Sequence, residues 1–458
     1  MADPKVVEIA RAIRSAGGRA LLVGGCVRDQ LRGEESKDLD LEVFGLDLHA
    51  LEAVLARFGE VIAVGRAFGV LQVKGLPIDF SLPRRDSKIA AGHKGFEIAF
   101  DPGLDFATAA RRRDLTINSI GLDPLTEEIL DPHGGRADLA AGLLRATDPT
   151  HFSDDPLRGL RAAQFAARFE YRADPGLVAL CRRLDLSELS GERVLEEWRK
   201  LLLKGLRPSL GTQFLRETEQ LRFFPELAAL VGVPQDPEWH PEGDCWVHNQ
   251  MVIDEAARLR DGGADDPALM FGALLHDVGK PPTTALDDGR VRSPGHDVRG
   301  VPLAVAFLER MRAPTELVAR VSAMVEHHLA PALFVKNGAT AKAYRRLARK
   351  LGAAGASVEL LLRVARADHF GRTTDEALAK RFPAGDEFLA KARELAVEHD
   401  SPRDVVLGRH LIARGLTPGV EFGRILERCR ELQDETGWTD PERILAEVLG
   451  PAFASEKR

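Results

Sequence analysis

Asp38 and Asp40 stand two residues apart in the run KDLDLEV, where Leu39, Leu41 and Val43 point one way and Asp38, Asp40 and Glu42 the other. Like charges on one strand face repel and desolvate badly, so the pair is poorly placed for a structural role. A divalent cation removes that objection. Mg²⁺ is a hard, oxygen-seeking ion that takes one or two carboxylates together with substrate phosphates. Just upstream, Leu21, Leu22 and Val23 run into Gly24-Gly25, where backbone N–H groups can approach a ligand closely. The stretch 21–43 therefore reads as a glycine-rich phosphate cradle followed by a metal-binding strand.

A second constellation lies downstream. His248 sits in the amphipathic pattern CWVHNQMVIDEAARL, His276-Asp277 ends an apolar helix in LLHDVGK, and His296, His327-His328 and Asp368 follow. Adjacent His and Asp can ligate one ion or a pair of ions from a helix end, with His248 and Asp368 completing the shell from other helices. His296 and one of His327 and His328 are available for a second metal or a substrate phosphate. The expected occupant is a divalent transition metal, Ni²⁺, Mn²⁺, Co²⁺ or similar.

Between the two, HFSDDPLRGLRAAQF predicts a helix with Ser153 as N-cap and with Asp155 and Arg158 side by side at i and i+3. One reading is an acidic first turn with an intrahelical ion pair. The other is base recognition. A carboxylate accepts from the exocyclic amine of cytosine or adenine while a guanidinium donates to the neighbouring ring nitrogen. Uracil and guanine present the inverse pattern and are rejected. Arg161, one turn on, is grouped with this pair as nucleotide-binding.

The elements that must carry these residues follow from length and periodicity. A chain of 458 residues exceeds one ordinary core, so two to four domains are expected. Residues 1–150 read as an α/β unit with helices over Val6–Ala16 and Leu48–Phe58 and strands over Val61–Val64, Val70–Val73 and Ile78–Leu82 in a small, mostly antiparallel sheet. Asp79 falls on the polar face of the last strand, either as a solvated edge residue or as a third carboxylate. Pro83–Ala110 reads as a long loop. It leads into RRRDLTINSIGLD, where three arginines before a strand-like TINSIGL would be an odd surface choice without an anionic ligand. Residues 151–245 read as helical, with a proline-rich connector over 205–245. Residues 246–370 hold the histidine constellation, and 371–458 form a helical tail with a turn at Gly415 and Pro418-Gly419. The fold class is α+β.

The net charge of −7 counts against a globally basic nucleic-acid binder, so RNA contact must rest on local patches. One patch is Lys342, Arg345, Arg346, Arg349 and Lys350, along one helix face in a stretch without acids. It reads either as a cationic surface helix or as a contact to RNA phosphates. Four widely spaced cysteines without Cys-x-x-Cys indicate neither a zinc knuckle nor a disulfide framework. No run approaches the ~18 apolar residues of a membrane span, and the N-terminus is an amphipathic helix rather than a signal peptide. The expectation is a cytoplasmic protein with no membrane partner, as monomer or homodimer.

GGCVRDQLRG…KDLDLEV resembles the signature of the polymerase-β nucleotidyltransferase superfamily, and more narrowly the class II tRNA nucleotidyltransferase (CCA-adding) and bacterial poly(A) polymerase family. RRRDLTIN resembles that family's second motif, Asp131, Gly134-Gly135 and Asp138 its third, and DDPLR its nucleotide-templating motif, with Asp154 where the family has Glu. SGERVLEEWRKLL resembles a fifth, with Glu192, Arg193 and Glu196 at helix spacing either bracing the site or, the favoured reading, serving only the helix's own structure. The H…HD…D order resembles the HD-domain metal phosphohydrolases, and the stretch from WHPEGDCWVHNQM to LLHDVGK resembles the C-terminal half of HD-containing bacterial CCA-adding enzymes.

The resemblance implies a nucleotidyltransferase head followed by an all-helical neck, an HD domain and a tail. It implies addition of C and A to tRNA 3′ ends from CTP and ATP. Asp38, Asp40 and Asp79 would be catalytic, with Mg²⁺ on Asp38 and Asp40. Nucleotide would be bound by Gly24, Gly25, Arg28, Arg112, Arg113, Asp114, Asn118, Asp155, Arg158 and Arg161. The HD half would be a phosphatase or 2′,3′-cyclic phosphodiesterase. Poly(A) polymerase shares every motif quoted, and so do enzymes that add only CC or only A. The filled Pro83–Ala110 segment weighs against a CC-only enzyme, whose relatives have it reduced. A phosphohydrolase whose N-terminal half only binds RNA or nucleotide is the other alternative; retention of both Asp38 and Asp40 favours the transferase.

Overall fold

Capping and alternation place the N-terminal elements. The computed structural model describes residues 3–36, 38–65, 69–88 and 96–450, in two units, Met1–Phe224 and Pro225–Arg458. In the first unit, Asp3 caps helix Pro4–Ser15 by accepting from the Lys5 N–H, and Asp47 caps Leu48–Leu55 through the Ala50 N–H. The strands are β1 Arg19–Val23, β2 Leu39–Phe44, β3 Val61–Gly65, β4 Val70–Val73, β5 Ile78–Ser81, β6 Arg84–Lys88, β7 Phe96–Phe100, β8 Gly121–Leu122 and β9 Ile129–Leu130. Seven of them form one sheet in the order β3-β4-β5-β2-β1-β8-β9, antiparallel except where β2 runs beside β5.

On one face of this sheet Leu41, Val43, Leu71 and Phe80 pack with Ile9, Ile13, Leu51 and Leu55 from the two helices, none more than 3% exposed. Burying a side chain of this size contributes roughly 1.5–3 kcal/mol. A one-residue slip of β2 would turn Asp40 into that layer, so the apolar layer sets the register. On the other face Leu21, Val23 and Phe44 pack on helix Phe106–Ala110. The expected strands and the small mixed sheet of an α+β fold are present.

Tertiary pairing overrides the local pattern in several places. The segment expected to be a loop over Pro83–Ala110 holds the antiparallel pair β6–β7, with Arg84 opposite Phe100, and the helix Phe106–Ala110; residues 89–95 lie outside the described residues. TINSIGL is not a strand. Thr116–Asn118 is a 3₁₀ turn, and β8 keeps only Gly121–Leu122, because the Thr116 and Asn118 side chains are bonded to Asp138 and Asp114. Ser153 does not cap a helix. It lies in a 3₁₀ turn, Phe152–Asp154, and helix Leu157–Phe169 starts after Pro156. Two of the connector's prolines begin helices, Pro208–Glu217 and Pro225–Ala228, since a first-turn N–H has no intrahelical partner to lose.

In the second unit helices Cys245–Arg258, Asp266–Leu275, Thr315–His327 and Val358–Phe370 pack around Phe271, Met324 and Val364, all 0% exposed. Beyond residue 371 the chain is helical, ending in Val420–Thr436 and Pro441–Leu449, and Gly415 (φ +81°) lies in the turn before them. No helix among the described residues is long and apolar enough to cross a membrane.

Candidate active sites

At the end of β1, Gly24 takes φ +76° and turns the chain into the short helix Gly25–Leu31. A Cβ on Gly24 would lie 2.9 Å from Arg113 Nη1 and 3.6 Å from Asp40 Oδ2, so the glycine keeps open the space between a guanidinium and a carboxylate. Asp40 and Asp79 are register partners on β2 and β5. Asp38 lies one residue ahead of β2 rather than in it. The surrounding protein and the nearby Asp79 and Asp38 carboxylates push Asp40 up, with Arg113 opposing. A crowd of carboxylates at an open strand end fits a hard divalent cation.

Glu42 parts company with Asp40. It is fully buried, with Arg112 at 2.8 Å and Arg113 at 3.5 Å, and despite burial the two arginines hold its carboxyl below the usual range. Two of the three arginines therefore answer an internal carboxylate that strand alternation had grouped with the metal-binding face. Arg28 is also buried. It donates to Asn118 Oδ1 at 2.6 Å and to Asp29 at 2.8 Å, over the rings of Phe165 and Phe169, and burial lowers its pKa. Asn118 donates to Asp114 Oδ1 at 2.9 Å, and Arg161 donates to Asp114 Oδ2 at 2.6 Å. Burial works against the Asp114 charge, but Arg161, Asn118 and the Leu115 N–H hold its pKa at about 2. Arg28, Asn118, Asp114 and Arg161 thus form one chain of contacts, tying the arginine-rich segment to helix Leu157–Phe169.

Asp155 and Arg158 do not bond each other. Asp155 accepts from Arg193 at 2.9 Å, and Arg158 donates to the carbonyls of His151 at 2.7 Å and Arg112 at 2.6 Å. Asp131 accepts from the N–H groups of Gly135 and Arg136, which builds the Gly134-Gly135 turn, and Asp138 accepts from Thr116.

In the second unit His248, at 0% exposure, places Nε2 3.1 Å from Asp368 and Nδ1 2.8 Å from Glu242. His276 Nε2 and Asp277 Oδ2 face each other across 3.2 Å, both buried and neither in hydrogen-bonding geometry. His276 Nδ1 is taken by the Ala273 carbonyl at 2.8 Å, which turns Nε2 inward. His296 Nε2 lies 3.4 Å from Asp277 Oδ1 and 3.3 Å from His328 Nε2. The structure therefore selects His328. His327 lies beside Glu326 instead, at 3.6 Å. Burial and the nearby His276 and His296 push His328 down to about 3, leaving it neutral with a lone pair to give. Two sets, His248-His276-Asp277 and Asp277-His296-His328, each bring ligand atoms within 4.8 Å of one another, as does His240-Glu242-His248; Asp38, Asp40 and Asp79 do not gather as tightly. Nitrogen donors, carboxylates and buried unsatisfied atoms fit a divalent metal. Gly279 lets helix His296–Arg310 close over them, since a Cβ there would lie 1.9 Å from the His296 carbonyl.

Sequence reasoning missed Glu242, His240, Lys280 and Arg372. Lys280 Nζ lies 2.7 Å from Asp277, and Arg372 Nη2 lies 3.2 Å from Asp368. HDVGK and ADHFGR carried two of these signals, a lysine three residues after the Asp and an arginine four after the other. The basic helix Ala341–Ala353 corrects a reading. Arg345 donates to the Asp434 carbonyl at 2.8 Å, Arg349 to the Asp434 carboxylate at 2.8 Å and to Asp404, Lys342 faces Glu435 and Lys350 faces Glu326. The missing acids come from other elements, chiefly the tail, so this face holds helix Val420–Thr436 rather than offering a bare row of cations. Arg346 alone of the five is exposed with no ion pair among the described residues.

Comparisons with known proteins agree with this division. Residues 20–145 match the model of the poly A polymerase head domain, and residues 248–372 match that of the HD domain. A multifunctional CCA protein of Nitrosomonas europaea is 36% identical over 392 residues, covering 83% of this chain and 89% of that protein. One of Cupriavidus metallidurans is 40% identical over 307 residues, 64% of this chain and 70% of that protein. The crystal structure of a Bacillus stearothermophilus CCA-adding enzyme in complex with CTP aligns with a TM-score of 0.66 at 20% identity over 100% of both chains.

Proposed function

The chain belongs to the family of multifunctional CCA proteins, and from that premise we propose that it adds C and A, without a nucleic-acid template, to the 3′ end of tRNA using CTP and ATP. The observation that carries this reading is Asp40 beside Asp79 at the mouth of the Gly24 turn, with Arg113 closing the far side. Bound there by Asp38 and Asp40, with Asp79 alongside, Mg²⁺ would acidify the primer 3′-hydroxyl and neutralise charge on the triphosphate. Arg112 and Arg113, anchored on Glu42, present positive charge toward that space. Asp155 and Arg158, braced by Arg193 and by backbone carbonyls, serve as the base-reading pair.

The HD half acts as a phosphohydrolase. A divalent transition metal such as Ni²⁺, Mn²⁺ or Co²⁺, held by His248, His276, Asp277 and Asp368, would supply a water of lowered pKa. Hydrolysis breaks the P–O bond to the leaving alcohol, bonds the water oxygen to phosphorus and passes its proton to the leaving oxygen. Lys280 and Arg372 supply positive charge for the phosphate, and His296 and His328 line its approach. Cytoplasmic placement fits a tRNA substrate.

The test is incubation with tRNA ending before CCA, in C, or in CC, with CTP and ATP supplied singly and together. The expected products stop at CCA. Asp40→Ala should abolish addition with tRNA affinity within a few-fold. Runs of A on every tRNA would replace this reading with a poly(A) polymerase, and robust incorporation by Asp40→Ala would overturn the metal assignment.

A further inference from the structure

The HD site opens into a cavity of about 240 Å³ whose lining includes Lys280, Arg372, Trp239 and Val291. That is below the roughly 300–1,000 Å³ that encloses a whole organic ligand. A phosphate and part of the group it esterifies fit inside, and the remainder must lie on the rim.

The rim is aromatic. Trp239 is 54% exposed, while Trp198 and Trp246 are 1% and 2% exposed. Exposure of so large an apolar ring at the mouth of a charged cavity is not a packing solution. The ring is carried on a braced turn. The N–H groups of Trp239 and His240 both donate to the Asp236 carbonyl, at 3.1 and 2.9 Å, and Arg290 donates to the Asp236 carboxylate at 2.8 Å and pairs with Glu238. Arg290 belongs to the hairpin of Ala285–Asp287 and Arg290–Arg292, where Leu286 is paired with Val291 and therefore shares its face. Leu286 is 74% exposed, extending the apolar lip beyond Val291.

We propose that Trp239 is the platform on which the HD site stacks the base of a nucleoside phosphoester, and so selects nucleoside esters over simple phosphate esters. The inference rests on the phosphohydrolase reading of the same site and names the residue that discriminates among its esters. Cations beside the His/Asp cluster take the phosphate, and a flat apolar face at the mouth takes a flat π-system. Stacking of bases on aromatic side chains is strong and tolerant of base identity. Tolerance is also expected from the polar neighbours. The Gln235 amide is spent on Lys280 and the Gly243 carbonyl, and the Asp236 carboxylate on Arg290 and the Glu238 N–H, so neither reads a base edge.

The test uses the full chain with Mn²⁺, Ni²⁺ or Co²⁺, comparing kcat/KM for adenosine 2′-phosphate and cytidine 2′-phosphate with that for glycerol 2-phosphate. Trp239→Ala should lower the nucleoside-to-glycerol ratio by about 10- to 100-fold for both bases, and Trp239→Phe should restore most of it. Adenosine monophosphate titrated without added metal should quench intrinsic fluorescence in the wild type, and that quench should be lost in Trp239→Phe. An unchanged ratio in Trp239→Ala, or a quench that survives in Trp239→Phe, overturns the platform. If no ester is hydrolysed with any metal, the phosphohydrolase reading fails by itself, and the fluorescence titration still decides the platform.

Discussion

Removing Arg161 should expose how strongly the head's arginine-rich segment is tied to the helix that follows it. Asp114 is 5% exposed at its side chain, and its carboxylate is met by Arg161 at 2.6 Å, Asn118 at 2.9 Å and the Leu115 N–H at 2.8 Å. A pKa of about 2 against the ordinary 3.8 corresponds to about 2 kcal/mol of preference for the charged form in the folded state. Arg161→Ala takes away the main counter-charge and leaves the carboxylate buried, which should cost about 2–4 kcal/mol. Asp114→Asn should cost less, because no uncompensated carboxylate remains. The double variant should be less destabilised than the two singles summed, by about 1.5–3 kcal/mol. Urea denaturation followed by circular dichroism measures this, and hydrogen exchange of peptides spanning 157–169 identifies the responding unit. Because the folded pKa lies below the unfolded one, the stabilisation is complete above about pH 4 and is lost as pH falls through about 2. The gap between wild type and Arg161→Ala should close over that window. Additivity within about 0.5 kcal/mol, or a gap indifferent to pH, would refute the assignment.

Two further outcomes follow from close contacts. Gly24→Ala forces a Cβ to within 2.9 Å of Arg113 Nη1 at a positive φ; it should cost about 1–2 kcal/mol of stability and raise KM for CTP and ATP severalfold, and an unaltered KM would mean the glycine turn does not shape the nucleotide site. Arg349→Ala removes contacts to Asp434, Asp404 and the Pro402 carbonyl and leaves Asp434 buried; it should speed hydrogen exchange in residues 420–436 while leaving the salt dependence of tRNA binding unchanged, and a flattened salt slope would restore the helix as a phosphate contact.

Short-range pattern was enough for what depends on neighbours in the chain. Alternation separated Asp40 from Leu41 and Val43, glycine doubling marked the turn out of β1, and His276-Asp277 after an apolar helix marked a His/Asp pair that the fold does bring together with His248. Each is a consequence of strand or helix period or of glycine's backbone freedom, which a sequence states directly. What it could not state is which charge answers which. Glu42 looked like a third acid on the metal-binding face until Arg112, 70 residues on, proved to be its partner. Arg349 looked like a bare cation until Asp434, 85 residues on, met it, and nothing near Asp114 in the chain announced Arg161, 47 residues on, as its partner. His328 and His327 are adjacent, and only the packing of helix His296–Arg310 chose between them. A buried charge must be paired to be tolerated, and the partner arrives from whichever distant element the apolar core brings alongside. That choice belongs to the tertiary structure.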